Sequence, residues 1–187
     1  FTIQPLSRTD NGGKTQTVTA RSGRAPVTEQ ATRIILKAEH LGTNAQEPSE
    51  GPIANLIDGN TATFFHTAWS VAIPGPHWLQ IRLPEALTEG HWKFWYAPRN
   101  NGRQKPTDFD ILVSTGGSDW TLVKKFTKDE DGLPVTATDA YTSPNLPVTQ
   151  PFDHIRMVVN AVNSGEVFFT MSEFRLWQVK VVDPEAE

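Results

Sequence analysis

The sequence predicts an all-β protein, a sandwich or jelly roll, and three observations carry that reading. Apolar and polar residues alternate over short segments such as Trp78–Leu83, Trp92–Tyr96 and Phe109–Val113, the two-residue period of a half-buried strand. No stretch repeats apolar residues at the three- and four-residue spacing of an amphipathic helix. The 14 prolines and 13 glycines punctuate the chain as many short strands joined by loops would require.

Taken in order, residues 1–31 are polar and turn-rich and read as a linker or the tail of a preceding domain, with a strand around Gln16–Ala20. A start at Phe1 rather than Met is read as the mark of a processed or excised piece of a longer, multidomain chain. The main domain is expected over 32–183, opening on a strand at Arg33–Ala38, with 184–187 as a C-terminal tail. In the next strand Leu79, Ile81 and Leu83 share one face. Trp92, Phe94 and Tyr96 share a face from which Trp95 points away, and Phe109, Ile111 and Val113 turn inward while Asp108 and Asp110 turn to solvent. Ile155, Met157 and Val159 repeat the pattern. Near the end Phe174 and Leu176 share one phase and Trp177, Val179 and Val181 the other, which predicts a β-bulge. Lys128–Pro151 reads as a long loop containing one short strand.

Composition excludes several classes. The 187 residues suit one well-buried domain, and 17 basic against 21 acidic residues, a net charge of −4, argue against a nucleic-acid or anionic-membrane surface. No apolar segment approaches the roughly 18 residues of a membrane span, and no signal peptide is expected within these residues. The absence of cysteine removes disulfides, thiol catalysis and thiolate metal sites. His40, His77, His91 and His154 form no zinc-type cluster in sequence. A glycosidase needs two carboxylates across a cleft, roughly 5–10 Å apart. Asp108 and Asp110 lie on a solvent-facing strand position, and Asp129, Glu130 and Asp131 sit in a turn without an aromatic floor. With no Gly-x-Ser-x-Gly elbow, phosphate loop or His-Glu-x-x-His helix, the chain is not expected to be an enzyme.

The densest information lies between Ile53 and Ser70. The apolar run Leu56-Ile57 stops at Asp58-Gly59-Asn60, a strong turn signal, and oxygen-bearing side chains follow at Thr61 and Thr63. Two readings stay open: an Asx turn hydrogen-bonded to its own backbone, or a loop whose oxygens wrap a hard cation such as Ca2+. A Phe64-Phe65-His66 run and Trp69 come next.

The order of motifs resembles the F5/8 type C, or discoidin, domain and the related galactose-binding jelly-roll carbohydrate-binding modules. The residues that carry the resemblance are Ala54–Asn60 with Thr63, Phe65–Ser70, Pro76–Leu83, Tyr96–Arg103 with Pro106, Phe109–Trp120, Phe152–Met157 and Ser172–Leu176, spanning about residues 32–180. The resemblance implies a galactose-binding-domain-like jelly-roll β-sandwich of about eight main strands. It also implies a structural Ca2+ held by Asp58, Asn60, Thr63 and Glu173 with backbone carbonyls; Asn60, where an Asp is frequent, would weaken the cation.

It further implies a non-catalytic module of a secreted or surface protein, here read as extracellular, bacterial and glycan-handling. The expected partner is a glycan bearing galactose or N-acetylhexosamine. Arg99, Asn100, Asn101 and Arg103 supply directional donors and acceptors suited to sugar hydroxyls. His66 and Trp69 in a second loop, and Phe168 and Phe169 in a third, are candidates for the aromatic platform. The competing expectation is a protein-interaction or adhesion module of the same fold, because the site and not the fold decides function. A lipid-binding role ranks third: Phe64 and Phe65 read as core and the net charge is negative.

Overall fold

Alternation decides where each strand lies and which face it buries. The computed structural model describes residues 6–9, 15–18, 28–136 and 139–182, with side chains over 28–136 and 139–181. The strands β1 (Leu6–Thr9) and β2 (Thr15–Val18) form an antiparallel hairpin that pairs Leu6 with Val18. The rest of the expected linker over 1–27 and the tail 184–187 lie outside the described residues.

Residues 30–180 form a separate compact unit. Its strands begin with β3 (Thr28–Ile34), β4 (Leu41–Thr43), β5 (Phe65–His66), β6 (His77–Leu87), β7 (His91–Ala97), β8 (Pro106–Ser114) and β9 (Thr121–Thr127). They continue with β10 (Tyr141–Thr142), β11 (Leu146–Pro147), β12 (Phe152–Val162), β13 (Thr170–Met171) and β14 (Glu173–Val182). One sheet runs β4-β6-β12-β8-β9 and the other β10-β7-β14-β3, with β11 also on β7. The central pairs β6–β12, β12–β8 and β14–β7 are antiparallel.

The inward faces are those the alternation predicts. Leu79, Ile81, Leu83, Phe109, Ile111, Val113, Ile155, Met157 and Val159 come from the first sheet, and Trp92, Phe94, Tyr96, Phe174 and Leu176 from the second. Phe94 ties the two together. Its ring lies 6.1 Å from Phe109 and 5.4 Å from Phe126 across the sandwich, and 5.9 Å from Phe174 in its own sheet. This is the expected all-β jelly-roll class. Among the described residues no helix is long and apolar enough to cross a membrane.

Three details differ from the sequence reading. The first main strand is Thr28–Ile34, not Arg33–Ala38: its side chains are exposed up to Ile34, so edge pairing through the backbone, not apolar burial, makes it. The bulge expected in the last strand does not occur in its ladder with β7, where β14 pairs in unbroken register from Glu173 to Val179. The phase of burial changes because Val179 is buried outside the main core cluster. The loop after β9 opens with one helical turn, α1 (Lys128–Asp131), and holds two short strands, not one.

At one end of the sandwich three loops are tied together. β5 pairs with β13, setting His66 opposite Thr170. The Thr170 amide donates to the Gln104 carbonyl at 2.9 Å, and the Ser172 amide to that of Ala97 at 2.8 Å. Gly51 closes the fourth side. Its φ is +60°, and a Cβ there would stand 2.8 Å from the His66 nitrogen, so no side chain fits where its carbonyl accepts the His66 amide at 3.0 Å.

Candidate functional site

The Asp58 loop follows from its local sequence. Pro52 opens a 3-10 turn over Ile53–Ile57 that buries Leu56, and Gly59 takes a φ of +80°. Asp58 Oδ1 accepts the Asn60 amide at 2.8 Å, and Asn60 Oδ1 accepts the Ala62 amide at 3.0 Å. The Thr63 hydroxyl lies 2.7 Å from both Asp58 Oδ2 and the Asn60 carbonyl. Glu173, fully buried at the start of β14, accepts the Gly59 amide and has Arg175 Nε at 3.4 Å from its second oxygen. Asp58, Asn60, Thr63 and Glu173 are thus brought together around Gly59. The Thr63 hydroxyl above all, with the Asn60 amide and a contact to Glu173, holds the Asp58 carboxyl below the usual range against the effect of burial. No group of three or more His, Cys, Asp or Glu is placed to hold a metal among the described residues.

The four loop residues at 99–103 divide into two kinds. Arg103 is committed to Glu166, Nη2 to Oε1 at 2.6 Å, and Asn101 holds the loop through the Arg103 amide and the Gln104 side chain. Gln104 itself stands at a φ of 58°, an unfavourable region for a side chain, and is pinned through its amide to Ser164 and its carbonyl to Thr170. Asn100 is exposed, and Arg99 is half-buried with its guanidinium 3.5 Å above the Phe64 ring. Neither Arg99 nor Asn100 has a side-chain hydrogen bond or ion pair among the described residues. Lys105, fully buried, donates from Nζ to the Arg99 carbonyl and fixes the base of the loop.

Next to Arg99 lies an aromatic cluster. His66 stands 6.4 Å from Phe64, 6.5 Å from Trp69 and 5.7 Å from Phe168 between ring centres. Trp69 is 50 % exposed and its indole nitrogen donates to Glu50. Phe168 is half-buried, whereas Phe169 is fully buried against Phe65, 5.8 Å away, and belongs to the core. His66 Nδ1 is 2.6 Å from the Thr67 carbonyl, which can only accept, so Nδ1 carries the proton. Burial lowers the His66 pKa, keeping the ring neutral, so Nε2 offers a lone pair.

Glu47 was not among the residues picked out from sequence. It is buried to 2 % exposure, and its carboxylate collects the amides of Trp69 and Ser70 at 2.9 and 3.0 Å and the hydroxyls of Ser49 and Ser70 at 2.6 and 2.7 Å. Burial works against its charge, but those donors outweigh it and hold the carboxyl far below the usual range. A depressed folded pKa gives stability that is present above the unfolded value, near about 4, and lost as pH falls through the folded one. Glu47→Ala is therefore expected to lower the melting temperature at neutral pH, with the gap to the wild type closing as the pH of the thermal scans approaches about 2. A gap that is constant with pH would mean the carboxylate is not what holds the Trp69 loop.

Comparison with known proteins gives this geometry a family. Residues 37–174 match the model of the F5/8 type C domain. The chain belongs to the F5/8 type C domain family. A sialidase of Micromonospora viridifaciens is 27% identical over 183 residues, which cover 94% of this chain and 25% of that protein. A type blood N-acetyl-α-D-galactosamine deacetylase of Flavonifractor plautii is 30% identical over 89 residues, 41% of this chain and 11% of that protein. The chain thus spans a quarter or less of these curated relatives. Among solved structures, a Clostridium perfringens CBM32 module in complex with GalNAc-β-1,3-galactose matches with TM-score 0.63 at 17% identity, covering 78% of this chain and 99% of that one. The family 32 CBM of C. perfringens NanJ, in complex with galactose, matches with TM-score 0.58 at 22% identity, covering 80% and 100%. At these identities the structural matches establish the fold of this F5/8 type C domain.

Proposed function

We propose that this domain is a non-catalytic carbohydrate-binding module of an exported or cell-surface glycan-handling protein, and that it binds a galactose-type or N-acetylhexosamine-type sugar at Arg99, His66, Trp69 and Phe168. The observation that carries the reading is the unspent guanidinium of Arg99. Half-buried, stacked on Phe64 and without an acceptor among the described residues, it keeps its donors for a ligand. His66, whose ring centre lies 6.4 Å from that of Phe64, supplies an acceptor at Nε2, so a sugar hydroxyl can donate to the imidazole while a neighbouring one accepts from Arg99. Trp69, half exposed, offers a flat face to the apolar side of a pyranose. The sialidase relative and the galactose and GalNAc-β-1,3-galactose complexes support this choice of ligand class.

The domain has its structural role completed, in the same reading, by Ca2+ at Asp58, Asn60, Thr63 and Glu173. Their donors are all oxygen, which suits a hard cation, and two carboxyls converge there from positions far apart in sequence, 58 and 173. The ion would tie the loop to β14 and leave the chemistry of recognition to the neighbouring side chains.

Calorimetric titration with galactose and with N-acetylgalactosamine is expected to give saturable binding that is flat through neutral pH and falls in acid, once His66 protonates and Nε2 ceases to accept. Absence of binding to either sugar, and to a panel of sialylated and N-acetylhexosamine glycans, would leave the adhesion-module reading in its place.

A further inference from the structure

Arg99 and Phe64 have a second side. With Ala62, Trp95, Asn100 and Ser172 they line a cleft of about 660 Å³, within the size range of small-ligand sites, that His66, Trp69 and Phe168 do not line. Trp95 reaches it because strand alternation turns it away from the core-facing Phe94 and Tyr96 on β7. Its ring is held in place by the Arg175 guanidinium, 4.5 Å from the centroid. Asn100 in the same wall has no side-chain partner among the described residues. Ser172 has a fully buried hydroxyl without a hydrogen bond, an uncommon state for a buried polar group. An aromatic ring, an amide and a guanidinium without side-chain partners among the described residues therefore line one cleft, which shares Phe64 and Arg99 with the first site.

We propose that this cleft is a second pyranose subsite, so that the domain reads a glycan of at least two residues, one against His66 and Trp69 and the next against Trp95, with Arg99 between them. The proposal rests on the sugar-binding reading of the first site. It makes the ligand class an oligosaccharide and not a monosaccharide, and it makes Trp95 and Asn100 the residues that choose among linkages.

The test compares galactose with GalNAc-β-1,3-galactose, and N-acetylgalactosamine with the same disaccharide, by titration of the wild type, Trp95→Ala and Ala62→Phe. Ala62 is exposed at the cleft, so a phenylalanine there fills the space without disturbing the core. The wild type is expected to bind the disaccharide about tenfold more tightly than the better monosaccharide, the increment of one stacked ring. Both variants should lose that increment and keep the monosaccharide affinity. Equal affinity of the wild type for mono- and disaccharide, or variants that keep the increment, would overturn the subsite while leaving the first site standing. If Trp95→Ala unfolds, Ala62→Phe alone decides. Loss of all sugar binding in the wild type would remove the first site and the subsite together.

Discussion

Arg99→Ala is expected to weaken binding of a galactose-type sugar by about 100-fold or more while leaving the domain folded. A hydrogen bond to a charged donor is worth about 1.5–3 kcal/mol, and a guanidinium that presents a fork to two ligand oxygens makes two of them. Among the described residues nothing takes up those donors, so their loss falls on the ligand and not on the fold. What the fold does lose is the stack of Arg99 on Phe64, about 0.5–1 kcal/mol at a half-exposed site, or a melting shift of about 1–4 °C for a domain of this size. Arg99→Lys separates charge from geometry. Lysine keeps the cation but not the planar fork, so its affinity should fall closer to that of alanine than to that of arginine. An alanine variant that binds like the wild type would show that Arg99 is a loop prop and return the site to Trp69 and its neighbours.

The strands that build the sandwich were legible because alternation alone fixes which face is buried: Phe94 and Phe109 meet across the core as their periods require. The edge strand Thr28–Ile34 was not, since a strand held by backbone pairing at a sheet edge needs no apolar pattern. The candidate site could be proposed from its residue types but not from their commitments. Arg99 and Arg103 look alike in sequence, and only the approach of Glu166, 63 residues on, takes one of them out of play. Phe64 could have been found: it directly precedes the short strand Phe65–His66, and with Phe65 buried an extended backbone there turns Phe64 to the other side, where its ring lies 6.4 Å from that of His66. Glu47 shows only Ser49 as a local partner, and what distinguishes it comes from the Trp69 and Ser70 amides, 22 and 23 residues later in the chain.

Removal of calcium is expected to lower the melting temperature by about 5–10 °C. A ligand present at about 100 times its dissociation constant and bound only to the folded state contributes about 2.7 kcal/mol, and each kcal/mol moves the midpoint by about 2–4 °C at this size. The structural basis is the convergence of Asp58 and Glu173. Glu173 is fully buried, its nearest cation, Arg175, stands 3.4 Å from one oxygen only, and a second carboxyl approaches it from the Gly59 turn. A divalent ion between them would draw oxygen ligands from both carboxyl groups and so tie the Gly59 turn to β14. Glu173→Gln should then remove the response to chelation. The Asp58 carboxyl, held below its usual range, stays ionised through neutral and mildly acid solution, so the effect of chelation should persist there and fade as pH falls through that lowered value, when protons displace the cation. The competing account is the self-sufficient Asx turn, whose bonds from the Asn60 amide and the Thr63 hydroxyl to Asp58 are already made. It expects identical melting curves with calcium and with excess chelator. The two accounts differ by several degrees in one measurement, and a coincident pair of curves would leave Asp58, Asn60, Thr63 and Glu173 as a hydrogen-bonded turn anchored to β14.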